Sequence, residues 1–176
     1  MNSEDVLKFW FEEIEPSQHW KKDQEFDQLV RDRFAKVHLA ASKCELFGWR
    51  TSAQGRLAEI IVLDQFSRNM FRDQPEAFAC DPLALALAQE AISVGADKQL
   101  SDQQVPFLYM PLMHSESALI HEVAVEVFAK TTNIDFELKH KAIIDRFGRY
   151  PHRNEILNRK STVEEIEFLK GPNSSF

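Results

Sequence analysis

From Phe26 the apolar residues recur at Leu29 and Val30, Phe34, Val37 and Ala41, a spacing of three or four positions. At about 100° of rotation per residue, this spacing gathers them into one stripe along a helix. No stretch of the chain alternates apolar and polar residues with period two for long enough to make a convincing strand. Helix must therefore bury itself against helix. With 176 residues the chain is long enough for one sizeable core and short for two. A single all-helical domain over 1–170 is expected, followed by a flexible C-terminal tail over 171–176.

Start and stop signals divide the chain further. Ser3 with Glu4 and Asp5 opens a short helix that continues through Val6 to Phe11, because the hydroxyl caps free N–H groups and the acids face the positive end of the dipole. The long amphipathic helix begins near Asp23 and ends before Gly48, and Thr51 or Ser52 opens a third that runs to about Arg72. Asp81 followed by Pro82 is a cap with proline at the first helical position, and the Leu/Ala-rich stretch behind it stops at Gly95. Pro106 and Pro111 break the next segment, after which a helix is expected from about Pro111 to Lys130. Another spans Asp135 to Phe147 and stops at Gly148. Ser161 and Thr162 ahead of Glu164 and Glu165 have capping-box spacing for a last helix that fades at Gly171. These elements predict antiparallel helical hairpins, packed as an irregular bundle or a short right-handed superhelix. No internal repeat of about 34 residues is visible.

Composition narrows the function classes. The apolar run Val6 to Phe11 is interrupted by Lys8 and is far shorter than the roughly 20 residues needed to span a bilayer. Neither export nor membrane insertion is indicated. Cys44 and Cys80 stand far apart and outside any metal-ligand spacing, as expected of reduced thiols in a cytoplasmic protein. A net charge of −7 argues against nucleic acid as a partner, since non-specific affinity comes from neutralising phosphates. The charge is uneven, however. Between His140 and Lys160, Lys141, Arg146, Arg149, Arg153, Arg159 and Lys160 face only Asp145 and Glu155.

Three segments put polar residues where core residues belong. On a regular helix from Arg56 to Arg72, Asp64 and Arg68 fall within the stripe set by Leu57, Ile60, Ile61 and Phe71, with Asn69 at its border. They are four residues apart and can pair, but a buried pair needs further hydrogen bonds to be tolerable. On a continuous helix from His114 to Phe128, His114, Ala118, His121, Val125 and Phe128 share one face, while Glu116, Ile120, Val123 and Val127 share nearly the opposite one. Such a helix lies between layers, with His114 and Glu116 partly buried and pointing apart. His114 and His121 are about 10.5 Å apart along the axis, too far to hold one ion, so no metal and no cofactor is expected there. In the third segment, Gly148 and Pro151 interrupt regular structure and present Arg149, His152, Arg153 and Asn154 from loop backbone. Guanidinium forks match carboxylate or phosphate oxygens two at a time. A solvated basic loop pairing with the acidic remainder of the protein is equally compatible with that spacing.

Taken together, VLKFWF, LDQFSRNMFR, YMPLMHSE and RFGRYPHRNEILNR followed by ST-x-EE resemble the bacterial domain of unknown function 924 family, in the family's order and over nearly the whole chain. The resemblance implies an all-α, tetratricopeptide-like fold, and it implies no particular activity. The family pattern carries over onto Asp64, Gln65, Arg68, Asn69 and Arg72, then His114, Ser115 and Glu116, then Phe147, Gly148, Arg149, Pro151, His152, Arg153 and Asn154, and Arg159. The chain departs at His121, where the family more often shows Gln, and at Asn158, where it more often shows Gly.

Two functional classes follow. In the first, Asp64, Arg68, Asn69, Arg72, His114, Arg149, His152, Arg153 and Asn154 surround one pocket for a small carboxylate- or phosphate-bearing metabolite, with Arg68, Arg149 and Arg153 as the clamp. His114 is then the candidate general acid or base, and Glu116 joins it only if the helix phase differs from the regular one. A hydrolase or transferase fits that equipment, although no G-x-S-x-G nucleophile motif is present. In the second, the protein is a non-catalytic interaction module for a protein partner, and the polar cluster locks the fold. No sequence signal sets the oligomeric state.

Overall fold

The computed structural model describes residues 1–172, 174 and 175. Helices dominate, and no strand occurs among these residues. The first helix, α1 (Ser3–Lys8), is capped by Asn2 and Asp5, which exchange side-chain and backbone hydrogen bonds, and it widens into a π turn over Phe9–Glu13. Asp23 caps α2 (Gln24–Ser42), as the sequence predicts, and Ser52 caps α3 (Ala53–Ile61). That third helix does not run regularly to Arg72. It opens into a second π turn over Val62–Phe66 and resumes as α4 (Ser67–Met70).

The C-terminal half begins with α5 (Asp81–Ser93), followed by the left-handed Gly95 at φ 71°. Next, α6 (Val105–Met113) contains Pro111 in its interior, contrary to the expected break. The proposed helix from Pro111 to Lys130 is corrected too. The chain leaves helical structure after Met113 and re-enters at α7 (Ala118–Phe128) behind Ser117, so His114, Ser115 and Glu116 sit in an interhelical corner. Then α8 (Ile134–Phe147) ends at left-handed Gly148, φ 68°, and α9 (Val163–Leu169) carries the expected capping box between Thr162 and Glu165. Of the tail over 171–176, Asn173 and Phe176 lie outside the described residues, while the Ser174 hydroxyl donates to the Leu169 carbonyl at 3.2 Å.

The main core is built around α3 and the wide turn after it. Leu57, Ile60, Ile61, Leu63 and Phe66 are wholly buried, together with Phe34 from α2, Leu108 from α6 and Trp10 from the first π turn. Around this axis α1, α5 and α6 pack on α3, and α2 packs on the wide turn and α4. Gly55 allows the closest approach, because a Cβ there would lie 1.9 Å from the Trp49 carbonyl oxygen. A smaller core of Ile143, Ile144 and Tyr150, with Phe147 and Phe168 against it, holds the end of α8 to α9. No helix among the described residues is long and apolar enough to cross a membrane.

Candidate functional site

Where the corner at His114–Glu116 meets the start of α5 and the loop after α8, the surface sinks into a cleft of about 370 Å³. Its walls include Phe78, Asp81, His114, Glu116, Arg153 and Leu157. Behind it lies Asp64, buried in the π turn, whose extra residue displaces the regular helical phase. The Nδ1–H of His114 donates to Asp64 Oδ1 at 2.7 Å. Arg68 reaches the same oxygen at 3.1 Å, as the four-residue spacing predicts, and the Gln65 amide donates to Oδ2 at 2.6 Å. Burial opposes ionisation of Asp64, but the Arg68 charge and the hydrogen bonds from His114 and Gln65 outweigh it and hold its pKa well below the usual carboxylate range.

Arg68 continues the chain of contacts. Its guanidinium grips Asp81 with both terminal nitrogens, at 2.9 and 3.1 Å. Arg153 meets Asp81 from the other side at 3.2 Å and donates to the His114 carbonyl at 3.0 Å, which closes a ring through Asp64, Arg68, Asp81, Arg153 and His114. Burial disfavours charge on Arg68, yet Asp64 and Asp81 hold its pKa above the ordinary value. Arg153 is pressed the other way, by burial and by the nearby Arg68 charge. His114 is lowered by burial and by Arg68, against the pull of Asp64. The neutral imidazole therefore carries its proton on Nδ1 and keeps a lone pair on Nε2, and the residue lines the cleft.

The other residues singled out in the sequence point elsewhere. Asn69 donates to Asp27 at 2.9 Å, and Arg72 grips the same carboxylate at 2.5 and 2.7 Å, so this pair ties α4 to α2. Glu116 takes both terminal nitrogens of Arg159, at 2.6 and 2.9 Å, and the backbone N–H of Tyr150 at 2.7 Å. Arg149 grips Glu165 at 2.7 and 2.9 Å, and Asn154 links Arg159, Ser161 and Glu165. The basic segment is thus matched by acids drawn from distant helices. His152 is largely buried, with Nδ1 unpartnered, and burial brings its pKa down to about 4. His121 is wholly buried, with Nδ1 2.7 Å from Glu137 and Nε2 2.9 Å from the Ser115 carbonyl.

Residues 6–173 match the model of a family described as bacterial protein of unknown function, DUF924. The chain belongs to the DUF924 family. Among solved structures, it is similar to a protein of unknown function, ATU0120 from Agrobacterium tumefaciens, at 38% identity with a TM-score of 0.91, over 96% of this chain and 97% of that one. No curated protein matches it. In this DUF924 protein Asp81, a helix cap by its sequence context, belongs to the cleft instead. The carboxylate makes no capping bond and is held by two arginines instead. A carboxylate beside a proline-started helix, in a chain with unmatched buried arginines, was the available signal. Phe78 and Tyr150, which flank the Arg153 guanidinium at 4.5 and 4.6 Å, had no local signal at all.

Proposed function

We propose that the cleft binds a small organic anion beside an acid–base histidine. The observation that carries this reading is the state of Arg153. The guanidinia of Arg68, Arg72, Arg149 and Arg159 each grip a carboxylate with two nitrogens. Arg153, 6% exposed in the cleft wall, makes only single contacts, and its buried Nε–H has no acceptor. A buried cation met by so few partners is costly, and a negative charge in the adjoining cleft would relieve that cost. The π turn supports the same reading, since such turns concentrate at functional sites.

His114 supplies the chemistry. Asp64 fixes its tautomer, in the way a buried carboxylate orients a catalytic imidazole, so Nε2 can take a proton from a bound molecule or return one to it. This equipment suits a proton-transfer step in a hydrolase or transferase. We assign Asn69, Arg72, Arg149, Asn154 and Glu116 to bracing the fold, because their polar groups are occupied by Asp27, Glu165, Ser161 and Arg159.

Calorimetric titration of the protein with acetate and with inorganic phosphate tests this reading, with Arg153→Met alongside. Saturable binding that disappears in the variant is expected. Binding that persists unchanged in Arg153→Met, or no binding to the native protein, would discard it.

A further inference from the structure

The charged ring lines only part of the cleft. Phe78, Pro82, Leu85, Pro111 and Leu157 present hydrocarbon to the same space. A site for a compact inorganic ion would be lined by donors throughout, whereas an apolar lining beside one sparsely partnered cation matches a molecule with an acid group at one end and hydrocarbon at the other. The ring of Phe78 joins the two parts, because it lines the cleft while Arg153 lies 4.5 Å and Arg68 5.7 Å from its centroid.

The charges restrict the acid group. Asp64, Asp81 and Glu116 are balanced by Arg68, Arg153 and Arg159, so the ionised groups at the cleft already cancel. One added negative charge can be met by one proton on His114 Nε2. A second would stand unmatched against two carboxylates, Asp81 and Glu116, in the same walls. Arg153 is also the one arginine of the cleft wall, so a second negative charge would find no second guanidinium there.

Building on the anion-site reading above, we infer that the ligand is an amphiphilic monocarboxylate, its carboxylate at Arg153 and His114 and its hydrocarbon body along Phe78, Leu85 and Leu157. Binding then depends on chain length. Each methylene buried against the apolar wall raises affinity about fourfold, the equivalent of about 0.8 kcal/mol, until the cleft is filled.

The experiment is a calorimetric series of straight-chain carboxylates from acetate to octanoate, with the matching primary alcohols and monoalkyl phosphates. Affinity is expected to climb with length and then level off, with each alcohol at least tenfold weaker than its carboxylate and each alkyl phosphate no tighter. Leu157→Ser and Leu85→Ser should flatten the climb while leaving acetate binding intact. If acetate and phosphate bind through Arg153 but affinity ignores chain length in the native protein, the amphiphile is wrong and the anion site stands. Alkyl phosphates binding tenfold tighter than carboxylates would overturn the monocarboxylate assignment. If no anion binds the native protein, both readings fall together.

Discussion

Asp64 and His114 stand fifty positions apart in the chain and meet across 2.7 Å at the back of the cleft. The carboxylate accepts from Nδ1 and so decides which ring nitrogen is free. Nitrogen-detected NMR near pH 7 should show His114 protonated at Nδ1 and bare at Nε2. In Asp64→Asn the amide can present a donor to Nδ1, and the tautomer is expected to reverse. Removing the charge also leaves Arg68 short of one partner in a buried site, a loss of about 3–5 kcal/mol in denaturant unfolding. A native His114 bearing its proton on Nε2 would contradict the arrangement.

Arg68 and Arg153 share Asp81, and burial disfavours charge on both, but only Arg68 has a second carboxylate, Asp64, to offset it. Arg68→Met strips buried Asp64 and partly buried Asp81 of a common partner and should lower the melting temperature by on the order of 10 °C. Arg153→Met removes a cation whose charge the folded state disfavours, and should leave the melting temperature unchanged or raised. Differential scanning calorimetry on the two variants decides it. Equal, large losses would place Arg153 among the structural braces.

Arg72 offers the converse case. Arg72→Met breaks the two-pronged grip on Asp27 that joins the turn after α4 to α2, and since the guanidinium is partly exposed, the expected cost is about 1–3 kcal/mol. Acetate affinity should be unaffected. A loss of acetate binding in a folded Arg72→Met protein would mean that the site extends to α2.

Acid should destabilise the protein before its carboxylates titrate. Burial lowers His140 from 6.5 to about 3 and His152 from 6.5 to about 4. Below pH 6.5 the unfolded chain binds protons at these positions that the folded chain refuses. Their contribution is therefore complete above 6.5 and is lost as pH falls toward 4 and then 3. At pH 5 the two together remove about 4 kcal/mol relative to pH 7. Urea unfolding at pH 7, 6 and 5 should show this fall, and His152→Phe should reduce the slope by about one proton. Stability that stays flat from pH 7 to 5 would refute it.

Helix stripes, caps and glycine stops were legible from local sequence because each depends on neighbours within about four residues, as Asp23, Gly148 and the Thr162–Glu165 box show. So was the Asp64–Arg68 pair. What the sequence concealed depends on distance. Nothing near position 68 or 153 announces Asp81, and nothing near 72 announces Asp27. The corner at His114 looks helical in sequence because Ala118 to Phe128 carries a stripe that extrapolates backward through it, whereas the chain breaks there and brings His114 and Glu116 to the same cleft. Asn158 lies between these cases. Where the resemblance puts glycine, its backbone is left-handed at φ 52°. Asn158→Gly should leave stability unchanged or raise it by up to about 1 kcal/mol, and Asn158→Val should cost about 1–2 kcal/mol. Chemical denaturation measures both, and a Val variant as stable as the native protein would mean that the turn relaxes.

The wide turn at Val62–Phe66 gives this stretch a tolerance that regular helices lack. In a helix of ordinary pitch, one residue more or fewer turns everything downstream by about 100°. Here the wide turn already takes up one extra residue, so trimming one from it would rewind the turn to ordinary pitch and leave Arg68 facing Asp81 and Arg72 facing Asp27. The change would fall on the turn itself, where Asp64 stands, and a shortened protein would keep its braces while losing the seat of the carboxylate behind the cleft.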